Sequence, residues 1–206
     1  MLKDRVDAGR RLAERLSTYQ ESKNVIVLAI PRGGVEVGRV IADALNIPLD
    51  VVVTRKIGMP GHSELAIGAV DRDGEVVMRD SSLVDEQTLK SLIDKECAEI
   101  VRREAMYRAG RDPLHVQEKM VILVDDGIAT GMTMEAAIRW ARRQDPQKLI
   151  LAVPVVAHDT LRRLKPLVDD CVVLEIPDLF FAVGMFYNEF PQLSDDDVRR
   201  LLGTDI

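Results

Sequence analysis

The chain has 206 residues, of which 47% are hydrophobic and 30% are charged, the balance of a water-soluble globular protein. Its net charge of −6 argues against broad nucleic-acid binding, which needs a basic face, so an anionic ligand must be held by local donors. No apolar run is long enough to span a membrane, and Cys97 and Cys171 lack CxxC spacing. We therefore expect one domain over residues 1–206, in a reducing cytoplasm, with no nucleic-acid or membrane partner; a homodimer is left open.

Apolar runs alternate with helical patterns along the chain. Strands are predicted at Val25–Ile30, Leu49–Thr54, Ala66–Val70, Glu75–Met78, Val121–Val124, Leu149–Val155 and Cys171–Ile176. Helices are predicted up to about Tyr19, over Val37–Leu45, from about Asp85 to Gly110, over Ala136–Ala141, near Asp159–Leu164 and over Val198–Leu202, the last capped by Ser194. The alternation predicts a doubly wound α/β fold with a mostly parallel sheet and helices on both faces.

The most informative segment is Val121–Thr133, which reads VILVDDGIATGMT. A buried strand ends in two carboxylates, Asp125 and Asp126, and a small-residue turn then leads into a helix. Backbone N–H groups and a positive helix end around one concavity suit a phosphate. Paired acids would repel that phosphate unless they bind something else, such as the vicinal hydroxyls of a sugar with a divalent cation nearby. The segment therefore indicates a ribose phosphate site.

This segment resembles the phosphoribosyl-pyrophosphate (PRPP) signature of type I phosphoribosyltransferases. The resemblance implies a five-stranded core with strand order 3-2-1-4-5, a small C-terminal hood, and Mg²⁺ carried by PRPP near Asp125 and Asp126. The two acids would hold the ribose hydroxyls. Gly127 stands where the family usually has an apolar residue, which we expect to loosen the turn. The resemblance further implies that residues 128–133 would hold the 5′-phosphate, so that the PRPP-binding residues of this loop would be Gly127, Ile128, Ala129, Thr130, Gly131, Met132 and Thr133.

Pro31-Arg32-Gly33-Gly34 follows the first strand and resembles the family's diphosphate loop. Gly33 and Gly34 would let backbone N–H groups approach a diphosphate, and Arg32 could bind its oxygens bidentately. A tight turn with a solvent-facing arginine is the alternative. A dinucleotide site is disfavoured, because the glycines do not match GxGxxG and the second strand ends without an acid.

Residues 55–62 are rich in Gly and Pro, so we expect an irregular segment rather than a strand. In the family, this position, residues 55–64 here, holds a mobile loop that closes over PRPP. Arg55 and Lys56 would then bind the leaving diphosphate, and Glu64 would position one of them. An ordinary surface loop is the alternative.

Most of the few aromatic residues lie between Glu175 and Tyr187. Rings beside a ribose site could stack on a flat acceptor, which makes Phe180, Phe181 and Tyr187 candidate acceptor-binding residues. A hydrophobic cluster without a ligand is the alternative.

Together these features predict a Mg²⁺-dependent transferase that moves the phosphoribosyl group from PRPP to a nitrogen acceptor, with Arg32, Lys56, Asp125 and Asp126 as its catalytic residues. A PRPP sensor without activity is the alternative. A phosphorylated receiver domain is disfavoured, because Ala157-His158 rather than a lysine follows Leu149–Val155. The sequence does not identify the acceptor.

Overall fold

The computed structural model describes residues 1–79 and 84–205. Its helices are α1 (Arg5–Arg15), α2 (Gly33–Leu45), α3 (Glu86–Arg108), α4 (Met132–Arg143), α5 (His158–Leu164) and α6 (Asp195–Leu202). Its strands are β1 (Val25–Ala29), β2 (Leu49–Val51), β3 (Arg55–Met59), β4 (His62–Val70), β5 (Val76–Met78), β6 (Met120–Val124), β7 (Lys148–Val155) and β8 (Asp170–Glu175).

The centre of the fold is a five-stranded parallel sheet with the order β2-β1-β6-β7-β8. Strand β1 pairs with β2 on one side and with β6 on the other, so the winding reverses between β1 and β6. Ligands of doubly wound folds bind beside the carboxyl ends of the strands at such a reversal. The predicted doubly wound core is confirmed, and its switch point lies where the two glycine-containing loops begin.

Successive residues of β1 point to opposite faces of the sheet, as the period of a strand requires. Val25 and Val27 pack with α1 and α2, whereas Ile26 and Leu28 pack with α4. Both faces are therefore covered by helices. This explains why β1 reads as a continuous apolar run rather than an alternating one.

The expected strand order was wrong in one respect. Strands β3, β4 and β5 form a separate antiparallel sheet instead of supplying a core strand outside β2, and β8 completes the five at the opposite edge. The reason is connection length. A parallel crossover needs a dozen or more residues, and the short connections between β2, β3, β4 and β5 allow only hairpins.

The expectation of irregular structure over residues 55–62 was also wrong. Strands β3 and β4 form a hairpin that turns at Pro60-Gly61, where Gly61 has a φ of 78°. The register shifts around Gly58, so that glycine is accommodated by a bulge rather than by ending the strand. The strand predicted at Ala66–Val70 is the second half of β4.

The N-terminal residues meet the segment before α6 beside the central sheet. Leu2 forms a parallel bridge with Tyr187, and Leu2 and Phe186 share a backbone hydrogen bond of 2.9 Å. A small cluster of Leu2, Ala8 and Tyr187 is buried there. Helix α6 follows, with the reciprocal Ser194–Asp197 cap at its start. Within the described residues, no helix is long and apolar enough to cross a membrane.

Candidate active site

A cleft of about 690 Å³ opens at the carboxyl ends of β1, β2 and β6. Its floor contains Asp125 and Thr133 from the signature segment. Thr54, which follows β2, connects to this segment by donating a hydrogen bond to the Thr133 carbonyl at 3.1 Å. Its walls come from the β1–α2 loop, the β3–β4 hairpin and α3. The remaining lining residues are Ile30, Pro31, Val53, Arg55, Lys56, Gly58, Met59, Pro60, Gly61, Leu92, Lys95, Glu96 and Arg103.

The two acids have different surroundings. Asp125 lines the cleft, and its carboxylate accepts the Asp126 N–H at 2.8 Å. Burial and the neighbouring Asp126 carboxylate raise the pKa of Asp125 well above its usual range. Asp126 instead accepts a hydrogen bond from Arg5 Nε at 2.8 Å. Burial raises the pKa of Asp126 as well, and the Arg5 guanidinium opposes that rise.

The start of α2 rests directly on these acids. A Cβ on Gly33 would lie 1.8 Å from Asp126 Oδ2, and one on Gly34 would lie 2.8 Å from the Val124 carbonyl oxygen. Only glycine fits at either position. The Arg32 side chain, next to them, is exposed and is not among the residues that line the cleft. The structure therefore brings Gly33 and Gly34 to the acids but leaves Arg32 outside.

The loop from Ile128 to Gly131 is fixed from behind by α5. Thr160 Oγ1 donates to the Ala129 carbonyl at 2.6 Å, and Arg163 donates to the Thr130 carbonyl. Gly131 has a φ of 74° and precedes the first turn of α4. With the carbonyls turned towards α5, the N–H groups of residues 129–131 have no backbone acceptor in the described part of the chain. Free amides at a helix start form an anion site.

Gly127 has a packing reason that the sequence did not reveal. A Cβ at this position would lie 2.4 Å from Val183 Cγ1 and 2.9 Å from Val155 Cγ1. The missing side chain lets the C-terminal segment approach the signature loop closely. The expected loosening of the turn is therefore replaced by a tight contact with Val183.

Cationic side chains surround the cleft on two elements. Arg55 on β3 is paired with Glu96 on α3 at 2.8 Å, and Lys56 is exposed at the cleft wall. Lys95 and Arg103 of α3 also line the cleft, and sequence reasoning did not single them out. No local pattern marks them, because only the tertiary packing of α3 brings them there. The Glu64 side chain lies outside the described part of the structure.

The three candidate acceptor-binding aromatics have different surroundings, and none of them lines the cleft. Phe180 packs on Phe186 with ring centroids 5.1 Å apart, and Phe181 is 76% exposed. Tyr187 is buried, and its hydroxyl donates to the Asp126 carbonyl at 2.6 Å. This argues against acceptor stacking by Tyr187, because its ring is packed against Phe190. Stacking by Phe180 and Phe181 stays a prediction.

Arg5 is the site residue that sequence reasoning missed. It lies 121 residues from Asp126 in the sequence, but the pattern of α1 did indicate that this arginine needs a buried partner. Arg5, Ala8 and Leu12 share the buried face of an amphipathic helix, and an arginine on such a face needs a partner.

Comparison with known proteins agrees with this architecture. A family model described as "Phosphoribosyl transferase domain" matches residues 1–188. The chain therefore belongs to the phosphoribosyl transferase domain family.

Two relatives from Mycobacterium tuberculosis, MT0597 and Rv0571c, are provisionally named phosphoribosyl transferases and are each 43% identical over 203 residues. The match covers 97% of this chain but 46% of each relative, so the chain spans about half the length of these curated proteins. The crystal structure of TT1426 from Thermus thermophilus superimposes with a TM-score of 0.82 at 37% identity, covering 98% of this chain and 97% of that one. A hypoxanthine phosphoribosyltransferase from Staphylococcus aureus has a TM-score of 0.50 at 13% identity, covering 84% and 73% of the two chains, and shows the shared fold alone.

Proposed function

We propose that the protein transfers the 5-phosphoribosyl group of PRPP to a nitrogen acceptor, a nucleobase in the simplest case, and releases diphosphate. One observation carries the proposal. Asp125 and Thr133 line a cleft bordered by several cations at the switch point of the sheet, and Asp125 is followed at the same strand end by the loop 129–131, whose N–H groups have no backbone acceptor among the described residues. A ribose bearing a phosphate on one side and a diphosphate on the other needs these three groups in this arrangement.

The chemistry of the surrounding groups indicates which part of PRPP each of them would bind. The N–H groups of residues 129–133 would bind the 5′-phosphate at the start of α4. Asp125 and Asp126 would accept hydrogen bonds from the ribose hydroxyls. The Gly33 and Gly34 amides, with Lys56 and Arg55, would bind the diphosphate, and Arg32 would join them by turning towards the cleft.

Mg²⁺ is expected to arrive with the substrate. Among the described residues, no three His, Cys, Asp or Glu side chains converge on a common point, and Asp126 is already paired with Arg5. Diphosphate and ribose oxygens, with the nearby Asp125 carboxylate, make a donor set of hard oxygens that fits this ion. When bound, Mg²⁺ would neutralise charge on the diphosphate.

Catalysis in this scheme depends on positioning and electrostatics rather than on a covalent nucleophile. As the diphosphate leaves, positive charge develops on the ribose ring, and the acceptor nitrogen attacks the opposite face. Cations on the hairpin and α3 would stabilise the departing charge. The carboxylates beneath the ribose would stabilise the developing positive charge and hold the ring in place.

The test is diphosphate release from Mg²⁺-PRPP with adenine, guanine, hypoxanthine, xanthine, uracil or orotate. We expect release with at least one base, and a decrease on the order of 10²-fold for Arg32→Ala, as for loss of one preorganised donor. Asp125→Asn should weaken PRPP binding by roughly 1.5–3 kcal/mol. Asp43→Asn, an exposed acid on α2, is the matched control and should leave both unchanged.

Two results would contradict the proposal in different ways. Tight PRPP binding without release for any base would favour a sensor or an unusual acceptor. Absence of PRPP binding would exclude both the transferase and the sensor.

A further inference from the structure

Arg5 is the most heavily engaged charged side chain near the cleft, and its side chain is 6% exposed. Its Nε donates to Asp126 Oδ2 at 2.8 Å, and Nη1 donates to the Pro191 carbonyl at 2.8 Å. The guanidinium carbon lies 3.8 Å from the centre of the Phe190 ring, and Glu36 is 3.8 Å from Nη1. One arginine therefore joins the N-terminal helix to α2, the signature segment and the C-terminal segment.

A second contact, made to the main chain of Asp126, also holds this residue in place. The Tyr187 hydroxyl donates to the Asp126 carbonyl at 2.6 Å. Burial raises the pKa of that hydroxyl, so it remains a donor across the physiological range. The Tyr187 ring in turn packs against Phe190, with centroids 4.9 Å apart, and Phe190 packs on Arg5. The side chain and the backbone of Asp126 are thus fixed by one connected group of residues.

Both contacts come from two segments that pair with each other, one near the N-terminus and one before α6. Arg5 follows Leu2 and Lys3, whose carbonyls accept the N–H groups of Asn188 and Glu189 at 2.9 Å each. The two segments therefore form one paired unit, which we call the terminal clasp: residues 2–5 with 186–191. A shift in the clasp would move Arg5 and Tyr187 together, and Asp126 with them.

We propose that Arg5 is a positioning residue for Asp126 and that the terminal clasp sets the geometry of the ribose-hydroxyl site, a role that rests on the proposed function. Arg5 and Gly33 enclose Oδ2 of Asp126, so in this scheme Oδ1 would accept the ribose hydroxyl. Arg5 does not touch PRPP in this scheme. It acts by holding the carboxylate ionised and in one orientation.

The binding test compares Arg5→Gln and Arg5→Lys with Arg11→Gln, a control on the same helix whose pair with Asp7 is exposed. We expect Arg5→Gln to weaken PRPP affinity roughly 10- to 100-fold, the loss that follows from one charge-assisted hydrogen bond. Arg5→Lys should recover part of the loss, because the charge returns without the second hydrogen bond. Arg11→Gln should bind as the wild type does. Wild-type affinity in Arg5→Gln would overturn the proposal.

Tyr187→Phe is the second test, and it guards against an Arg5 variant that fails to fold. It keeps the packed ring and removes only the hydroxyl that holds the Asp126 backbone. We expect weaker PRPP binding at a temperature at which the variant is still fully folded, a combination that a purely structural role would not produce. Unchanged affinity in both Tyr187→Phe and Arg5→Lys would overturn the role of the clasp.

A double-mutant comparison separates this proposal from the proposed function. The Tm of Arg5→Gln, Asp126→Asn and the combined variant is measured without PRPP. The combined variant should lose less than the sum of the single losses, because each single change leaves the other partner buried and unpaired. Additive losses would overturn the pairing itself. Non-additive losses in a protein that does not bind PRPP would overturn the proposed function and the ribose role, while the ion pair stands.

Discussion

At the scale of single residues, two adjacent aspartates whose pKa values are both raised by burial differ in their partners. Asp125 is a carboxylate in the cleft floor without a cationic hydrogen-bond partner in the described structure, whereas Asp126 is paired with Arg5. An acid whose pKa is raised on folding favours the native state while it is protonated. That contribution is lost as pH rises through the raised pKa, so at neutral pH the Asp125 carboxylate is a cost.

We therefore expect Asp125→Asn to raise the Tm at neutral pH and Asp126→Asn to lower it. The Asn oxygen can still accept the Asp126 N–H, so the first change removes the buried charge and keeps the contact. The second leaves Arg5 buried without its partner, at a cost of roughly 1.5–3 kcal/mol. Thermal unfolding of both variants from about pH 4 to 8 is the measurement.

The pH dependence of the Tm difference shows whether the effect of Asp125→Asn comes from charge or from packing. The advantage of Asp125→Asn should shrink as pH falls towards the ordinary range of an aspartate, because the wild-type carboxyl is then protonated in the unfolded state as well as in the native state. An advantage that does not change with pH would point to packing rather than charge. A destabilised Asp125→Asn at neutral pH would contradict the prediction.

Residues in a contiguous motif could be placed from the sequence, and residues joined across the fold could not. Gly33, Gly34 and Asp125 were predicted because strand, turn and helix follow one another locally. Arg5 and Lys95 reach the site only through the packing of α1 and α3, which no short pattern encodes. The Gly127 contact with Val183 was missed for the same reason.

At the scale of elements, we expect the β3–β4 hairpin to be the part that changes most on ligand binding. It forms one wall of the cleft and is attached to α3 by the Arg55–Glu96 ion pair. Composition failed here because Gly58, Pro60 and Gly61 suggested irregular structure. Gly61 occupies the turn, where its positive φ is needed, and Gly58 sits at a bulge. The positions of the glycines, in the turn and at the bulge, are therefore compatible with a hairpin, and the number of Gly and Pro residues alone was misleading.

We expect Mg²⁺-PRPP to protect Arg55 and Lys56 from trypsin, because diphosphate binding would hold the hairpin against the cleft. Glu96→Gln should increase cleavage at Arg55 without ligand, since it removes the charge that ties the hairpin to α3. Limited proteolysis with mass mapping of the products is the measurement.

Two controls accompany this experiment. Lys23 lies in an exposed connection before β1, and its cleavage should not respond to ligand. Asp94→Asn, an exposed acid on the same helix as Glu96, should leave the hairpin cleavage unchanged. Equal cleavage at Lys56 with and without Mg²⁺-PRPP would show that the hairpin does not close.

At the scale of the whole molecule, the sequence predicted the class of fold better than its connections. The continuous apolar runs of β1, β6 and β7 specified a sheet covered on both faces. Whether β4 would join that sheet depended on the length of the chain before it, which periodicity does not measure. The pairing of Leu2 with Tyr187 also depends on tertiary packing. It could not be predicted, because no local sequence pattern marks either residue as the partner of the other.

The last prediction is that residues 1–206 unfold as one cooperative unit, because the core clusters share members. Leu49 packs against the apolar cluster under α1 and α2 and also against the cluster between α3 and the hairpin sheet. Leu174 packs against the cluster under α1 and α2 and also against the cluster of Leu2, Ala8 and Tyr187. Calorimetry should then give one transition whose calorimetric and van't Hoff enthalpies agree. Free PRPP with Mg²⁺ at about 100 times its Kd should stabilise the native state by about 2.7 kcal/mol, which is roughly 5–10 °C in Tm for a chain of this length. Two separate transitions, only one of which responds to PRPP, would show that the hairpin sheet with α3 unfolds independently of the central sheet.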